Sequence, residues 1–574
     1  MSELKQIVDN IKNNNFDDAL RLCQLYQSKK NKHILSNFKG VIYLLQGKNI
    51  EAEKNFLKSI EENQTFIDPI NNLIKFYFQN KNFESLLTYA KKLFEIDKSN
   101  PSFNYKLAFA LEQNYRFEES IKYYENCIKL NGEDKIKALN NIGVIYSKLN
   151  KKITSNKYLL EAFKINPNDK FVVNNLLSNF IELRDIKNSE LFYKKAESLD
   201  TNLNYFLYNK AIFLILIGKI NSAIEILIEN KNEIKFFSKL IHTYLIIGEK
   251  DKAKELFNEF KKINAKDLDY YNFLGMRYLY DGDFENGWKY YEFRLTKSKN
   301  FLNHISEWKG ENIRKKNIAV YNEQGLGDCI QFSKYLFPLL KYDCNITFLV
   351  PKNLIEIFNK DLPNLKILSE ESIDTDENEK FDYKISLGSL IKFFYKNKLE
   401  ENNLISKTKK PSTFKINKHK LNVGIAWSGS FNGTGEPFRS IPLKSLKKIF
   451  SLDVKYYSLQ SEIWKRDTNE YNSLNMTNLG NYTLSELSTI IQSLDLVISS
   501  DTSILHLSAS LNKETWGLLS LHPDWRWGAF YKLNPYNSLK LFHQKKFNIW
   551  DDVEKEIYEN LKEKLIKKKN FYNK

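Results

Sequence analysis

The chain has 574 residues, 42% of them hydrophobic and 14% aromatic, with a formal net charge of +17. That length exceeds one core and sets an expectation of about three or four domains, and no apolar run approaches the roughly 20 residues needed to span a bilayer. Lysine, asparagine and isoleucine are abundant throughout and the basic residues are interleaved with acids; with no recognition motif beside the charge, nucleic acid is not expected as a partner. The opening MSELKQIVDN lacks a basic-then-apolar signal layout. Cys23, Cys127, Cys329 and Cys344 form no CxxC pair. Reduced thiols and a cytoplasmic location are the expectation.

The first half is an array. A phrase in which a small residue follows an apolar or aromatic anchor recurs at Phe16, Ile50, Phe83, Phe117, Ile153, Ile186, Ile220 and Phe284, with Lys250 a poor match between the last two. Successive spacings are 34, 33, 34, 36, 33, 34, 30 and 34. A period near 34 with two helical stretches per unit resembles the tetratricopeptide repeat (TPR). Small residues such as Ala19, Ser120, Ala223, Ala253 and Gly287 let the two helices of a hairpin approach, and Pro101 and Pro167 fall where one helix ends and the next begins. Each unit exposes an apolar face that only a neighbour covers, so a right-handed solenoid of about nine hairpins over 1–292 is expected. A protein or peptide is the expected guest on its concave face, with tyrosines and asparagines left there as binding candidates.

After a connector, 293–316, the period changes. β-Prone runs, NIAVY, NITFLV, LKILS and YKISL, then NVGIAW, VKYYSLQ, DLVISS and TWGLLS, alternate with helical ones. This is the pattern of α/β structure with parallel sheets. Two Rossmann-like lobes follow, 317–410 and 421–574, divided by a charged linker at 411–420; DDVEKEIYENLKEKLIKKK ends the second lobe as an amphipathic helix.

Ligands of open α/β sheets collect at the carboxyl ends of strands, and three such ends carry unusual residues. In VYNEQGLGDCIQF, Gly325 and Gly327 would let the backbone turn and approach a ligand, with Gln324, Leu326 and Gln331 beside them. Asp328, at the first turn of a helix, could be an N-cap or a base facing the interlobe cleft. In VGIAWSGSFNGTGEPFRSIPL, Trp427 and Gly429 lead into a loop with Gly433 and Gly435, and Arg439 and Ser440 suit an anionic group. In LDLVISSDTSILHLSASL a strand ends at Asp501, and Thr502 and Ser503 open a helix whose N-terminus suits a diphosphate, with His506 one turn in. Gln460, ending VKYYSLQ, is a candidate for the base or ribose. HPDWRWG offers Asp524, Trp525, Arg526 and Trp527, either as a packed corner or for a sugar. The D-x-D triplet at Asp374–Asp376 lies in a charge run and is read as a solvated loop, so no metal site is expected.

In their order, GWKYYEFR, EWKGENI, NEQGLGDCIQFSKYL, GIAWSGS with FRSIPL, YYSLQ, LDLVISSDTSILHLSASL and HPDWRW resemble bacterial TPR-linked glycosyltransferases related to the heptosyltransferases (glycosyltransferase family nine) over most of 284–550. The architecture also looks like that of the O-linked N-acetylglucosamine transferases. The resemblance implies a GT-B catalytic half with the nucleotide-sugar donor bound mainly by the second lobe. It makes Asp328 the catalytic base and Asp501, Thr502 and His506 the nucleotide-diphosphate site. The chain departs in having Ser503 where heptosyltransferases usually have glycine, which bears on donor identity more than on the phosphate site. The expected activity is inverting transfer to a protein held by the array, with no cofactor and no metal. A non-catalytic scaffold and a glycolipid or lipopolysaccharide transferase are the alternatives.

Overall fold

The computed structural model describes residues 2–572 apart from 27, 29, 200–202, 264–266, 298–301, 303, 304, 359–361, 363, 371–379, 398, 400–404, 406–413, 430–438 and 534. Gly433, Gly435 and the Asp374–Asp376 triplet lie outside the described residues. The chain forms two compact units, 1–209 and 210–574.

The first unit is a stack of helical hairpins. Its second helices begin at or beside the repeat anchors: Phe16–Leu25, Asn49–Glu62, Phe83–Ile96, Phe117–Lys129, Lys152–Ile165 and Ile186–Ser198. The small residues sit where the two helices touch. Ala19, Ala52 and Ala90 are fully buried, and Ser120 and Ser155 donate to the Ala108 and Gly143 carbonyls of the preceding helix at 2.7 and 2.6 Å. Pro101 opens the Pro101–Gln113 helix, where its missing N–H costs nothing. Polar links join successive first helices: Asn72 donates to Asn37, Lys106 to Asn71, Asn141 to the Tyr105 hydroxyl, Asn175 to Asn140 and Asn209 to Asn174, at 2.6–3.2 Å.

The second unit holds the helices from Ile220–Glu229 to Phe284–Tyr291 and a parallel-sheet α/β region. Among the described residues, a four-stranded sheet contains β1 (Asn317–Tyr321), β2 (Asn345–Val350), β3 (Leu365–Ser369) and β4 (Tyr383–Ser386) in the order 3-2-1-4. A six-stranded sheet contains β5 (Leu421–Ala426), β6 (Val454–Ser458), β7 (Thr477–Asn478), β8 (Leu496–Ser500), β9 (Thr515–Leu519) and β10 (Leu539–His543) in the order 10-9-8-5-6-7. Numbered within itself, the second order is 3-2-1-4-5-6. Every strand pair is parallel. β5, β8 and β9 are buried along their whole length; as strands covered on both faces they are mainly apolar, with Asn422, Ser499, Ser500 and Thr515 the buried polar side chains among them. The register sets Tyr321 beside Ser386 and Ala426 beside Ser499, so the segments leaving β1 and β4, and those leaving β5 and β8, start level.

Three features depart from expectation. β7 and β10 were not foreseen: one is two residues long, and the other is a half-exposed edge strand carrying Lys540, as edge strands often do. The connector is part of the first sheet, since Glu307 forms a parallel bridge with Lys384 and Trp308 N–H donates to the Lys384 carbonyl at 2.8 Å. The last hairpin, Leu268–Asp281 with Phe284–Tyr291, packs with the α/β region. Trp288 is 5% exposed and meets Trp525 and Phe530 edge to face, both with ring centroids 5.8 Å away. Aromatic burial of this kind fuses the end of the array to the sheet region. Trp288→Ala is expected to cost about 3–5 kcal/mol of the stability of this unit, measured by urea unfolding followed by circular dichroism.

Candidate functional site

A cavity of about 660 Å³ is lined by segments leaving β1 and β2 of the first sheet and β5, β6, β7, β8 and β9 of the second. It therefore lies at the carboxyl ends of both sheets, where backbone groups of strands and the starts of following helices converge. Its size suits a small organic ligand.

On the second-sheet side the wall is the Ser503–Ser510 helix. Thr502 precedes it without capping it; its hydroxyl lies 3.0 Å from Ser499 Oγ. Backbone bonding to the Thr502 carbonyl begins at Leu505, 3.1 Å away, so among the described residues the Ser503 and Ile504 amides at the helix start have no backbone acceptor. Those amides and the positive end of the helix dipole are of the kind that suits an anion, and the Arg439 side chain lines the same cavity. His506 is 1% exposed, stacks on Trp527 at 5.4 Å and places Nδ1 3.3 Å from the Tyr536 hydroxyl. Its Nε2 lies 3.5 Å from Asp501 Oδ1.

The charged centre is Arg526. Its guanidinium contacts Asp328 through Nη1, lies 3.8 Å from Asp501 through Nη2 and binds Asp524 through Nε at 2.6 Å. The Arg526 side chain is only 9% exposed and those of Asp328 and Asp501 are 17% and 7% exposed. Burial is the largest influence on Asp328 and raises its carboxyl above the ordinary range; Arg526 opposes the rise and Asp524 adds to it. Burial also works against ionisation of Asp501, but His506, Arg526 and Arg439 together hold that carboxyl well below the usual range. Two carboxylates of one cavity are thus driven apart, which is how a site separates a proton acceptor from a fixed charge.

Gly325, Leu326, Gly327 and Asp328 line the cavity, as do Gly429, Arg439, Gln460, Asp501, Thr502, Ser503 and His506. Asp328 is not a helix cap: Gly325 holds that position and no side chain caps the Leu326–Phe332 helix. Neither glycine has a positive φ, so the turn does not need them. Gly327 is needed for close approach to protein rather than to a ligand, since a Cβ there would lie 3.1 Å from His506 Cδ2 and 3.5 Å from Ser503 Cα.

Six expected site residues stand behind the wall. Gln324 donates to the Tyr291 hydroxyl at 2.6 Å. Gln331 is buried within its helix. Trp427 is fully buried and donates its indole N–H to Asp467 at 3.1 Å. Ser440 accepts from the Gly429 amide at 3.3 Å. Asp524 caps the Trp525–Trp527 turn and binds Arg526. Trp525 packs between Tyr291 and Phe332. Gln460 reaches the cavity, but its amide is committed to the β5 loop, donating to the Ser428 carbonyl at 2.8 Å and accepting from the Trp427 and Ser428 amides at 3.2 Å each. Arg526 itself sat among the HPDWRWG residues without a distinct role; a buried cation is recognised only once its three carboxylates meet in space.

Residues 456–557 match the family model of glycosyltransferase family 9 (heptosyltransferase), and 101–134 and 136–169 match a tetratricopeptide repeat. The chain carries both a family 9 segment and tetratricopeptide repeats. The family 9 match holds Asp501, Thr502, His506 and Arg526 but not Asp328 or Arg439. A TPR repeat-containing protein of Methanocaldococcus jannaschii is 23% identical over 254 residues, 40% of this chain and 43% of that protein. Protein FlbA of Caulobacter vibrioides is 21% identical over 305 residues, 50% of this chain and 46% of that protein. The chain thus spans less than half the length of these relatives. Among solved structures, PilF of Pseudomonas aeruginosa is similar at 12% identity and a TM-score of 0.32, over 37% of this chain and 97% of that one.

Removing the central cation leaves three carboxylates facing one another, and breaking one side of a buried ion cluster typically costs about 3–5 kcal/mol. Arg526→Met is expected to lose roughly that much at pH 8. Asp328, whose carboxyl burial already raises and Arg526 holds down, then titrates higher still, so the deficit shrinks as the pH falls toward about 5 and it takes up a proton. Urea unfolding at the two pH values measures both effects.

Proposed function

We propose that this protein is an inverting glycosyltransferase of GT-B arrangement, moving a sugar from a nucleotide-sugar donor to a protein presented by the repeat array. The observation that carries the reading is that the Asp328 carboxyl and the start of the Ser503–Ser510 helix line one cavity. The 3-2-1-4 and 3-2-1-4-5-6 strand orders support two doubly wound lobes, each with its reversal point at the first strand, and the family 9 match supports the reaction class.

In this reading the donor diphosphate lies against the Ser503 and Ile504 amides, and Arg439 and Arg526 neutralise it. The acceptor hydroxyl enters beside Asp328. A bond forms from that oxygen to the anomeric carbon as the bond to the diphosphate oxygen breaks on the opposite face, inverting the centre. Asp328 takes the hydroxyl proton as attack proceeds; the raised carboxyl of this aspartate makes it a better acceptor than an exposed one. The leaving group's growing charge is met by fixed donors that need no reorganisation. The scheme needs no metal and no cofactor beyond the donor substrate.

A protein acceptor is favoured by the asparagine links along the first helices of the array. An amide side chain has two donors and an acceptor with two lone pairs, so the half-buried Asn72, Asn140, Asn175 and Asn209 retain capacity for a peptide backbone beside their shared hydrogen bond. A glycolipid offers no such backbone, and a degenerate scaffold has no need of the Asp328–Arg526–Asp501 cluster.

A panel of nucleotide sugars tests the reading by thermal shift: one donor is expected to raise the melting temperature, as selective binding to the folded state requires. Asp328→Asn is expected to keep that shift while transfer falls by about 10²–10⁴-fold. The acid limb of the transfer rate should lie above the ordinary carboxylate range, because protonating Asp328 removes the base. Unchanged transfer in Asp328→Asn places the base elsewhere.

A further inference from the structure

The reversal point of the first sheet, between the carboxyl ends of β1 and β4, is where a doubly wound sheet would take a ligand. Here it is filled by protein. Arg294, in the 3₁₀ turn Glu292–Lys297 that follows the last repeat helix, is 9% exposed. It donates to Glu323 through Nη2 and Nε at 2.7 and 3.1 Å, to Ser386 and Ser389 at 2.9 and 3.1 Å, and to Glu292 at 3.0 Å. Gly388 is fitted to this pair: a Cβ there would lie 2.4 Å from Glu323 Oε1 and 2.6 Å from Arg294 Nη2.

Glu323 and the adjacent Gln324 belong to the segment that leads into Gly325 and Asp328. Gln324 donates to the Tyr291 hydroxyl at 2.6 Å, and the Tyr291 ring lies 4.3 Å from the Arg294 guanidinium and 5.1 Å from Trp525. Trp525 immediately precedes Arg526. The last turn of the array therefore holds both segments whose side chains form the Asp328–Arg526 pair: one by hydrogen bonds to Glu323 and Gln324, the other by ring packing on Trp525. A guanidinium fork bonded at several points fixes direction as well as distance.

We propose that Arg294 and Tyr291 are positioning residues for Asp328, so that the final repeat is a working part of the transfer site and not a detachable recruiting arm. The kinetic consequence rests on the glycosyltransferase reading; the structural consequence does not.

Tyr291→Phe removes the hydroxyl that Gln324 uses and keeps the ring. Arg294→Lys keeps the charge and loses the fork. In the full chain, each is expected to lower kcat by about tenfold, as small misplacements of reacting groups do, with the KM for the donor changed less than about twofold because the diphosphate wall is untouched. Amide hydrogen exchange across 322–328 should speed up by about tenfold while that across 499–506 stays as in the parent. Unchanged kcat in Tyr291→Phe, or equal loosening of both segments, overturns the proposal. If the parent transfers sugar from no nucleotide sugar, the transferase reading fails, and the exchange comparison alone decides the positioning role.

Discussion

One buried cation organises this molecule. Arg526 contacts Asp328 from the first sheet's side and Asp501 and Asp524 from the second sheet's side. Ions out of water are costly unless their partners are well placed, so the cluster tolerates few arrangements of the segments that carry it. The 323–328 segment, the 499–506 segment and the 524–527 turn must meet within a few ångströms. Gly327 meets this demand by bringing the Leu326–Phe332 helix against Ser503 and His506. Three carboxylates around one guanidinium also leave an excess of acids, and Arg439 and the helix-start amides are the groups of this cavity suited to an anion. Arg526 is thus shared among all three acids.

The way that cluster is held distinguishes the two sides of the cavity. On the second-sheet side the support is internal: Gln460 fixes the β5 loop through three hydrogen bonds, and Asp467 accepts from the Trp427 indole and the Leu443 amide. On the first-sheet side the support comes from the end of the array, through Arg294 and Tyr291. A sheet of four short strands offers fewer covering elements than one of six. The connector and the last repeat helix add cover there, and 210–292 falls in one compact unit with the α/β region.

What could be read from the amino-acid order follows from how local each signal is. A repeat anchor and its small partner lie within one turn, so hairpin positions were legible even where Lys250 replaces an apolar residue. β5, β8 and β9 were legible because burial on both faces favours a mainly apolar run; β10 was not, because its exposed face carries Lys540. The GLGD turn, a strand end followed by a helix start, left Asp328 open between helix cap and cleft-facing base; the fold makes Gly325 the cap and sets Asp328 on the cavity. Arg526 has no local pattern, and its role exists only when residues 198 positions apart meet. Trp427 misled for the same reason in reverse: it follows a strand end, yet a side chain pointing into the layer between sheet and helix is core whatever its sequence neighbours.

The composition takes on meaning at the same level. Abundant asparagine reads as drift in a linear chain, but in the first unit it is spent on a particular problem. Between stacked first helices an apolar pair would add adhesion with no preferred register, whereas an amide donating to an amide does so over a narrow range of distance and angle. The links from Asn37 to Asn72, Asn140 to Asn175 and Asn174 to Asn209 each span 35 residues, so they tie each first helix to the corresponding turn of the next. Where the pattern breaks, Lys106 and Tyr105 keep a polar contact to the neighbouring repeat. Inside the hairpins the packing is apolar: Phe56, Leu86 and Leu93 are fully buried.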